Sequence, residues 1–300
     1  MKIILEYSSM KKTLSLILLT FIFSSTVCFA KGPALWKISD ENSEVWLFGT
    51  IHILKPETLW QTDKIKHAFE QADTVYLEAP TEEITQEEMF KVMLPYIQNP
   101  NGVMLSSLIS KEAYEDLKVA VEGLGMPSSA LASLEPMRPW FVAVNLSVQH
   151  LVANGYDPES GVDGILYTQA KQSGKTLRYF ETIEQQIRFF GTMSANEEVA
   201  MFEAGIPDLL ENQSMLDEII KNWQRGDVEA VAKTLNEEMD KTPTLKERLL
   251  VNRNQDWAKQ IAKIMKGSGK TFIAVGSGHL AGEGSLQAFL TAKGFEIKRL

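Results

Sequence analysis

Apolar and polar residues alternate along the first third of the chain in a pattern that predicts strands and one helix. Short runs rich in β-branched and aromatic residues predict strands at 34–38, 45–48 and 74–77, and a polar turn between the first two predicts a hairpin. Residues 63–71 carry apolar side chains at helical spacing, with Thr62 as the N-cap. A strand, a helix and another strand in this order indicate a right-handed parallel crossover.

The rest of the chain divides into a helical middle and an α/β end. From about 84 to 266 apolar residues recur mostly at helical spacing, with one candidate strand at 177–180. The last segment predicts a strand, a helix and a strand at 271–275, 285–292 and 295–300. We therefore predict an α/β fold in a single domain over 31–300. Its central, mostly parallel sheet is formed by the N- and C-terminal segments, with a large helical insert at approximately 84–266.

Two short motifs near opposite ends of the chain have the same form. The sequences GTIH and GSGH each follow a predicted strand, and they end in His52 and His279. A third predicted strand, 74–77, is followed by Glu78. The chain has only four histidines, and two of them hold equivalent strand-end positions. In open α/β sheets the carboxyl ends of the strands form the edge where ligands bind. We therefore predict that these three side chains share one site.

Two imidazoles and a carboxylate are a common way to hold a divalent metal with coordination positions left open. The alternatives are a structural histidine at the end of each strand and a rim carboxylate at Glu78. A shared metal also sets a geometric condition. Imidazoles more than about 10 Å apart cannot bind one ion through bonds of about 2 Å.

Other polar residues are weaker candidates. Arg138, between two prolines ahead of an apolar helix, is predicted either to steady a substrate carboxylate or oxyanion, or to form an ordinary salt bridge. Asp163 and Glu181 are further candidates for which a structural role is favoured. His67 and His150 are interpreted as a solvated and a helix-capping residue. The sequence contains no nucleophile elbow, phosphate loop, dinucleotide fingerprint or helical HExxH motif.

The N-terminus and the charge balance predict an exported protein. A basic start, an apolar core and small residues before Ala30 have the layout of a cleaved signal peptide over 1–30, with Met10 as an alternative start and an uncleaved anchor as the other interpretation. Cleavage would remove the only cysteine, Cys28, together with three Lys and one Glu, and so change the net charge from −9 to −11. Such acidity argues against a nucleic-acid partner. The mature protein is expected to be periplasmic or secreted, without a stable membrane anchor.

The residues around the paired motifs resemble those of the TraB/GumN family, which includes the animal TIKI proteases. The most specific similarities are LFGTIH ending at His52, then Glu78, then VGSGHL around His279. Supporting similarities are ETIEQQ from Glu181 and RNQDW from Arg253. The family is similar to the erythromycin esterase and ChaN-like proteins, which implies an α/β core with a helical insert. The resemblance to TIKI implies a metalloprotease that uses manganese or cobalt. TIKI proteins are membrane-tethered, whereas no C-terminal anchor is expected in this protein.

These observations predict an exported metal-dependent hydrolase that cleaves peptide bonds in a peptide or protein substrate. His52 and His279 are expected to bind a divalent cation, manganese or cobalt by resemblance, with zinc also compatible. Glu78 is predicted to be either the third ligand or the general base, and Arg138 to steady the developing oxyanion. The alternatives are a non-catalytic protein that sequesters a secreted peptide, and a haem- or metal-binding protein. No feature of the sequence specifies an oligomeric state.

Overall fold

The computed structural model describes residues 32–211, 214–240 and 242–300, so the predicted signal peptide over 1–30 lies outside the described residues. Within these ranges six strands form one sheet in the order β4-β3-β5-β2-β1-β6. The strands are β1 (Leu35–Ser39), β2 (Ser43–Thr50), β3 (Thr74–Leu77), β4 (Thr176–Tyr179), β5 (Gly269–Gly276) and β6 (Lys298–Arg299).

The sheet joins distant parts of the chain. β5 lies between β2 and β3 and is parallel to both, while β4 is parallel to β3 on its other side. β1 and β2 form the predicted antiparallel hairpin, and β6 pairs antiparallel with β1 at the edge. Residues 269–276 are therefore central in the sheet although they come late in the chain. The prediction of an α/β fold with a mostly parallel sheet is confirmed, and five of the six strands come from the terminal segments, while β4 comes from the predicted insert.

Helices make up most of the middle of the chain. They are α1 (Asp63–Gln71), α2 (Gln86–Ile97), α3 (Lys111–Gly123), α4 (Ser129–Leu134), α5 (Pro139–Ala153), α6 (Val162–Gln172), α7 (Ile183–Gly191), α8 (Ala195–Glu211), α9 (Ser214–Gln224), α10 (Val228–Met239), α11 (Pro243–Lys246), α12 (Asn252–Ile264) and α13 (Leu286–Ala292). A π-helical turn, Glu247–Val251, leads into α12. Among the described helices, none combines the length and the apolar character that crossing a membrane requires.

Both faces of the sheet are covered by helices. One face buries Phe48, Val75 and Phe272 against α1, α6, α9 and α10. The other face buries Leu47 and Ile273 against α12 and α13. This three-layer arrangement explains why the parallel strands are continuously apolar, since a strand buried on both faces has no side that favours polar residues.

The segment over 84–266 does not form one separate helical layer. Helices α3, α5 and α8 enclose an apolar core of their own, whereas α6, α9, α10 and α12 pack on the sheet. The single domain over 31–300 and its insert boundaries stay predictions. Helix α1 has the predicted bounds and Thr62 occupies its N-cap position, but the Thr62 hydroxyl makes no capping hydrogen bond and is buried without a partner.

Candidate active site

The three predicted ligands converge at one edge of the sheet. The carboxyl ends of β2, β3 and β5 lie side by side there, because these strands are parallel and adjacent. A Cβ added at Gly276, which is the last residue of β5, would lie 3.3 Å from His52 Nε2, 3.3 Å from Glu78 Oε1 and 3.7 Å from His279 Cδ2. These distances limit the separation of the two ring atoms to about 7 Å, within the geometric condition for a shared site.

His52 is oriented by a carboxylate on its inner nitrogen. Its Nδ1 lies 2.8 Å from Asp163 Oδ2 and must donate, since a carboxylate only accepts. Thr50 Oγ1 donates to the other Asp163 oxygen at 2.9 Å and fixes that carboxylate. Asp163 thus occupies Nδ1, and Nε2 is the His52 nitrogen left to meet another partner. The negative charge of Asp163 raises the pKa of His52 from 6.5 to about 9, against the opposing loss of hydration. The side chain is 63% exposed, so solvent screens part of this effect.

A close backbone contact brings Asp163 to His52. The N–H of Val162, the first residue of α6, donates to the Ile51 carbonyl at 3.0 Å. A Cβ at Gly161 would overlap the His52 carbonyl, so only glycine allows the two segments to approach this closely. Gly161 is therefore required for the close approach of the two segments. That approach positions the carboxylate of Asp163, which acts on the site through its hydrogen bond with His52.

Glu78 is a buried carboxylate with a partner for each oxygen. The Gly276 N–H donates to Oε1 at 2.7 Å, while Arg253 Nη2 at 2.5 Å and Gln186 Nε2 at 3.2 Å donate to Oε2. Burial by itself would raise the pKa of Glu78, but neighbouring positive charge and the Gly276 N–H lower it to about 2. The positive charge that lowers it is that of His279, when its ring is protonated, followed by those of Arg253 and His52.

His279 is the buried member of the pair. Its Nε2 accepts from Arg253 Nη1 at 3.0 Å, since a guanidinium only donates, and its Nδ1 therefore donates to Asn254 Oδ1 at 2.7 Å. The ring lies 4.4 Å from the ring of Trp257 between their centroids. Burial lowers the pKa of His279 to about 3, and Arg253 and His52 add to the effect while Glu78 opposes it. The imidazole is neutral at physiological pH.

Arg253 is the residue that sequence reasoning missed as a member of the site. All five of its N–H groups have acceptors: Glu78, His279, two oxygens of Glu181 at 2.9 Å each, and the Leu249 carbonyl at 3.0 Å. Glu181, a weaker candidate in the sequence, thus belongs to the network. Burial raises the pKa of Glu181, and hydrogen bonding to Arg253 opposes that rise. The RNQDW sequence could have indicated this role, because Arg253 and Trp257 are four residues apart and so lie on the same face of α12.

Arg138 lies elsewhere. Its guanidinium pairs with Glu198 of α8. It also donates to the backbone carbonyls of Tyr96 in α2, Gly191 in α7 and Met193, which lies between α7 and α8. Its side chain is 18% exposed and that of Glu198 is 5% exposed. The structure therefore does not bring Arg138 together with His52, Glu78 and His279. Its contacts correspond to the second alternative considered for it, an ordinary salt bridge, here with Glu198.

Two cavities adjoin the network. One, of about 260 Å³, is lined by His52, Glu78, Asp163 and Gln186. The other, of about 490 Å³, is lined by Glu181 and Arg253 together with Phe189 and Trp257. His52 Nε2, the nitrogen that Asp163 leaves free, belongs to the side chain that faces the first cavity. The first cavity thus gives solvent access to His52 and Glu78, whereas His279 is buried behind them with 3% of its surface exposed.

The side chains fit a divalent cation in part. Over the described ranges, no group of three or more His, Cys, Asp or Glu side chains is arranged to hold a metal ion. In the site itself Arg253 already uses His279 Nε2 and one oxygen of Glu78. The donor chemistry nevertheless suits a metal, because each imidazole has an oxygen acceptor on Nδ1, as metal-bound histidines do.

The charge of the cluster points in the same direction. Three carboxylates, of Glu78, Asp163 and Glu181, surround one permanent cation, Arg253. With His52 protonated at neutral pH, one negative charge is left unbalanced. Loss of the His52 proton on metal binding would leave two, which one divalent cation would balance. His52 and Glu78 therefore fit as ligands, and His279 fits once its Nε2 no longer accepts from Arg253.

Comparison with known proteins gives one family and distant relatives. The model of the TraB/PrgY/gumN family matches residues 34–299. An uncharacterized protein of Treponema pallidum is 22% identical over 275 residues, covering 85% of this chain and 79% of its own length. The YbaP proteins of Escherichia coli and Shigella flexneri are each 24% identical over 258 residues, covering 86% of this chain and 92% of their own. No solved structure gives a significant match.

Proposed function

The chain belongs to the TraB/PrgY/gumN family, and on that premise we propose that it is an exported metal-dependent hydrolase that cleaves peptide bonds. The observation that supports hydrolysis most is the convergence of His52, Glu78 and His279 on Gly276 beside an open cavity. The peptide substrate rests on the resemblance to TIKI proteases. Export rests on the signal-peptide pattern over 1–30, and the acidic composition supports a protein or peptide partner rather than nucleic acid.

Each residue has a role that its contacts support. A bound divalent cation would lower the pKa of a water molecule and polarise the scissile carbonyl. His52, held by Asp163, faces the cavity and would bind through Nε2 once a metal displaces the proton that the charged ring carries at neutral pH. Glu78 has a pKa lowered to about 2, which suits an anionic ligand better than a general base, whose best pKa lies near the working pH. His279 is neutral and fixed by Asn254, as a nitrogen ligand must be.

Metal content tests the proposal directly. The purified protein and the His52→Ala/His279→Ala double variant are loaded with manganese, cobalt or zinc, desalted, and measured by inductively coupled plasma mass spectrometry. We expect about one metal per wild-type chain and none in the double variant. The matched control is His67→Ala, which removes an imidazole from the exposed side of α1.

Peptide cleavage is then measured by mass spectrometry on a library of unstructured peptides, with and without a chelator. Metal-dependent products that the double variant cannot form would support the assignment. Full cleavage activity in either single histidine variant would overturn it. Retention of peptides without any product would instead support the alternative of a sequestering protein.

A further inference from the structure

Arg253 takes up two of the atoms that a bound cation would need. Its Nη2 lies 2.5 Å from Glu78 Oε2 and its Nη1 lies 3.0 Å from His279 Nε2. A neutral imidazole has a single lone pair in the plane of its ring, so His279 cannot accept from Arg253 and bind a metal at the same time. The positively charged guanidinium of Arg253 thus lies where a bound cation would contact Glu78 and His279.

Arg253 also has a second set of partners that does not involve the predicted ligands. Its Nε and Nη2 form a two-pronged contact with Glu181, and its Nη1 donates to the Leu249 carbonyl. Glu181 is itself held by Trp257 Nε1 at 3.0 Å. The guanidinium carbon lies 4.9 Å from the ring centroid of Phe189 and 4.7 Å from that of Trp257. Three of its five hydrogen bonds would survive loss of Glu78 and His279.

From these contacts we propose that Arg253 is an internal cation that competes with a divalent cation for Glu78 and His279. Without metal it bridges these two residues and Glu181. With metal it keeps Glu181 and releases the other two. This inference rests on the proposed function, since it assumes a metal at the same site. It explains why the donor chemistry suits a metal while no ready set of three ligands is present among the described residues.

The test is the affinity for Mn²⁺, measured by electron paramagnetic resonance of the free ion in wild type and in Arg253→Gln. Removing the competitor is expected to tighten Mn²⁺ binding at least tenfold, which corresponds to about 1.4 kcal/mol. A purely structural arginine predicts the opposite, because its loss would disorder Glu78. The matched control is Arg188→Gln, since Arg188 lines the same 490 Å³ cavity, and we expect it to leave the affinity unchanged.

A second variant covers the case in which Arg253→Gln does not fold, because that change leaves two buried carboxylates without their cation. Arg253→Lys keeps the charge but has three donors on one nitrogen in place of the five-donor fork, so it cannot keep all five contacts of Arg253. We expect it to tighten Mn²⁺ binding at least about threefold.

The outcomes separate the two proposals. Equal or weaker binding in the Arg253 variants, with a wild type that binds Mn²⁺, overturns the competition and leaves the metallohydrolase in place. Binding in the variants alone supports the competition and removes the metal from the wild-type function. If no protein in the set binds Mn²⁺, Co²⁺ or Zn²⁺, both proposals fall.

Discussion

Replacing Arg138 by methionine is expected to destabilise the protein without touching the site at the sheet edge. The guanidinium of Arg138 is the counter-charge of Glu198, whose side chain is 5% exposed, and it also satisfies three backbone carbonyls. Methionine fills part of the volume of arginine but offers no donor. Removing one partner of a buried ion pair costs about 3–5 kcal/mol, because the other charge is left without compensation. We expect a loss in that range.

Urea denaturation followed by circular dichroism measures this loss as the change in the free energy of unfolding. The double variant Arg138→Met/Glu198→Gln is the decisive companion. Because Glu198→Gln removes the carboxylate charge that Arg138→Met leaves without a partner, the double variant is expected to recover at least half of the stability lost in the single variant. A loss below about 1 kcal/mol in Arg138→Met would refute the reasoning. So would a fully stable variant that had lost metal binding or turnover, since that would restore Arg138 to the catalytic role expected from the sequence.

Three further predictions concern the site. Because Asp163 raises the pKa of His52 from 6.5 to about 9, their pair stabilises the metal-free protein fully below about pH 6.5 and loses this effect as the pH rises through 9. Asp163→Asn should therefore lower the melting temperature at about pH 6 and have little effect at about pH 10; equal losses at both would contradict the assignment. The Cβ of Gly276→Ala would lie 3.3 Å from Glu78 Oε1 and from His52 Nε2. This variant should weaken Mn²⁺ binding about tenfold (~1.4 kcal/mol). The control Gly123→Ala, whose Cβ meets nothing within 4 Å, should leave Mn²⁺ binding unchanged. Asn254→Ala removes the acceptor of a buried imidazole and should cost about 2 kcal/mol in urea denaturation; a neutral result would show that water replaces the amide.

Local pattern was enough to predict the strand ends that carry the site. Strand β3 and helix α1 have the predicted bounds, because a short β-branched run before Glu78 and a clear helical spacing leave few alternatives. The two motifs ending in His52 and His279 identified the sheet edge, because each follows an apolar run that forms a strand. The pairing of β2 with β5 agrees with this pattern, because both strands are continuously apolar and parallel strands of that kind lie in the interior of a sheet.

The electrostatic part of the site could not be predicted in the same way. Arg253 contacts Glu78 across 175 residues of sequence, and no periodic pattern encodes such a pairing. Arg138, by contrast, stood out between two prolines, but its partner Glu198 is 60 residues away in another helix. Both arginines are partly buried, with 18% and 10% of their side chains exposed, and every N–H donor of each has an acceptor. Only the arrangement of helices in space decides which of them meets the strand ends.

The place of β5 has a consequence for how the protein is made. β5 separates β2 from β3, yet a ribosome synthesises it after about 220 residues that follow β2. Until it arrives, β2 and β3 have no common neighbour, and the Gly276 N–H that holds Glu78 does not exist. Contacts of such long sequence separation form slowly, because a large loop must close first. A chain truncated before residue 269 therefore carries His52 and Glu78 without the strand that brings them together, and the cluster is complete only after β5 has joined the sheet.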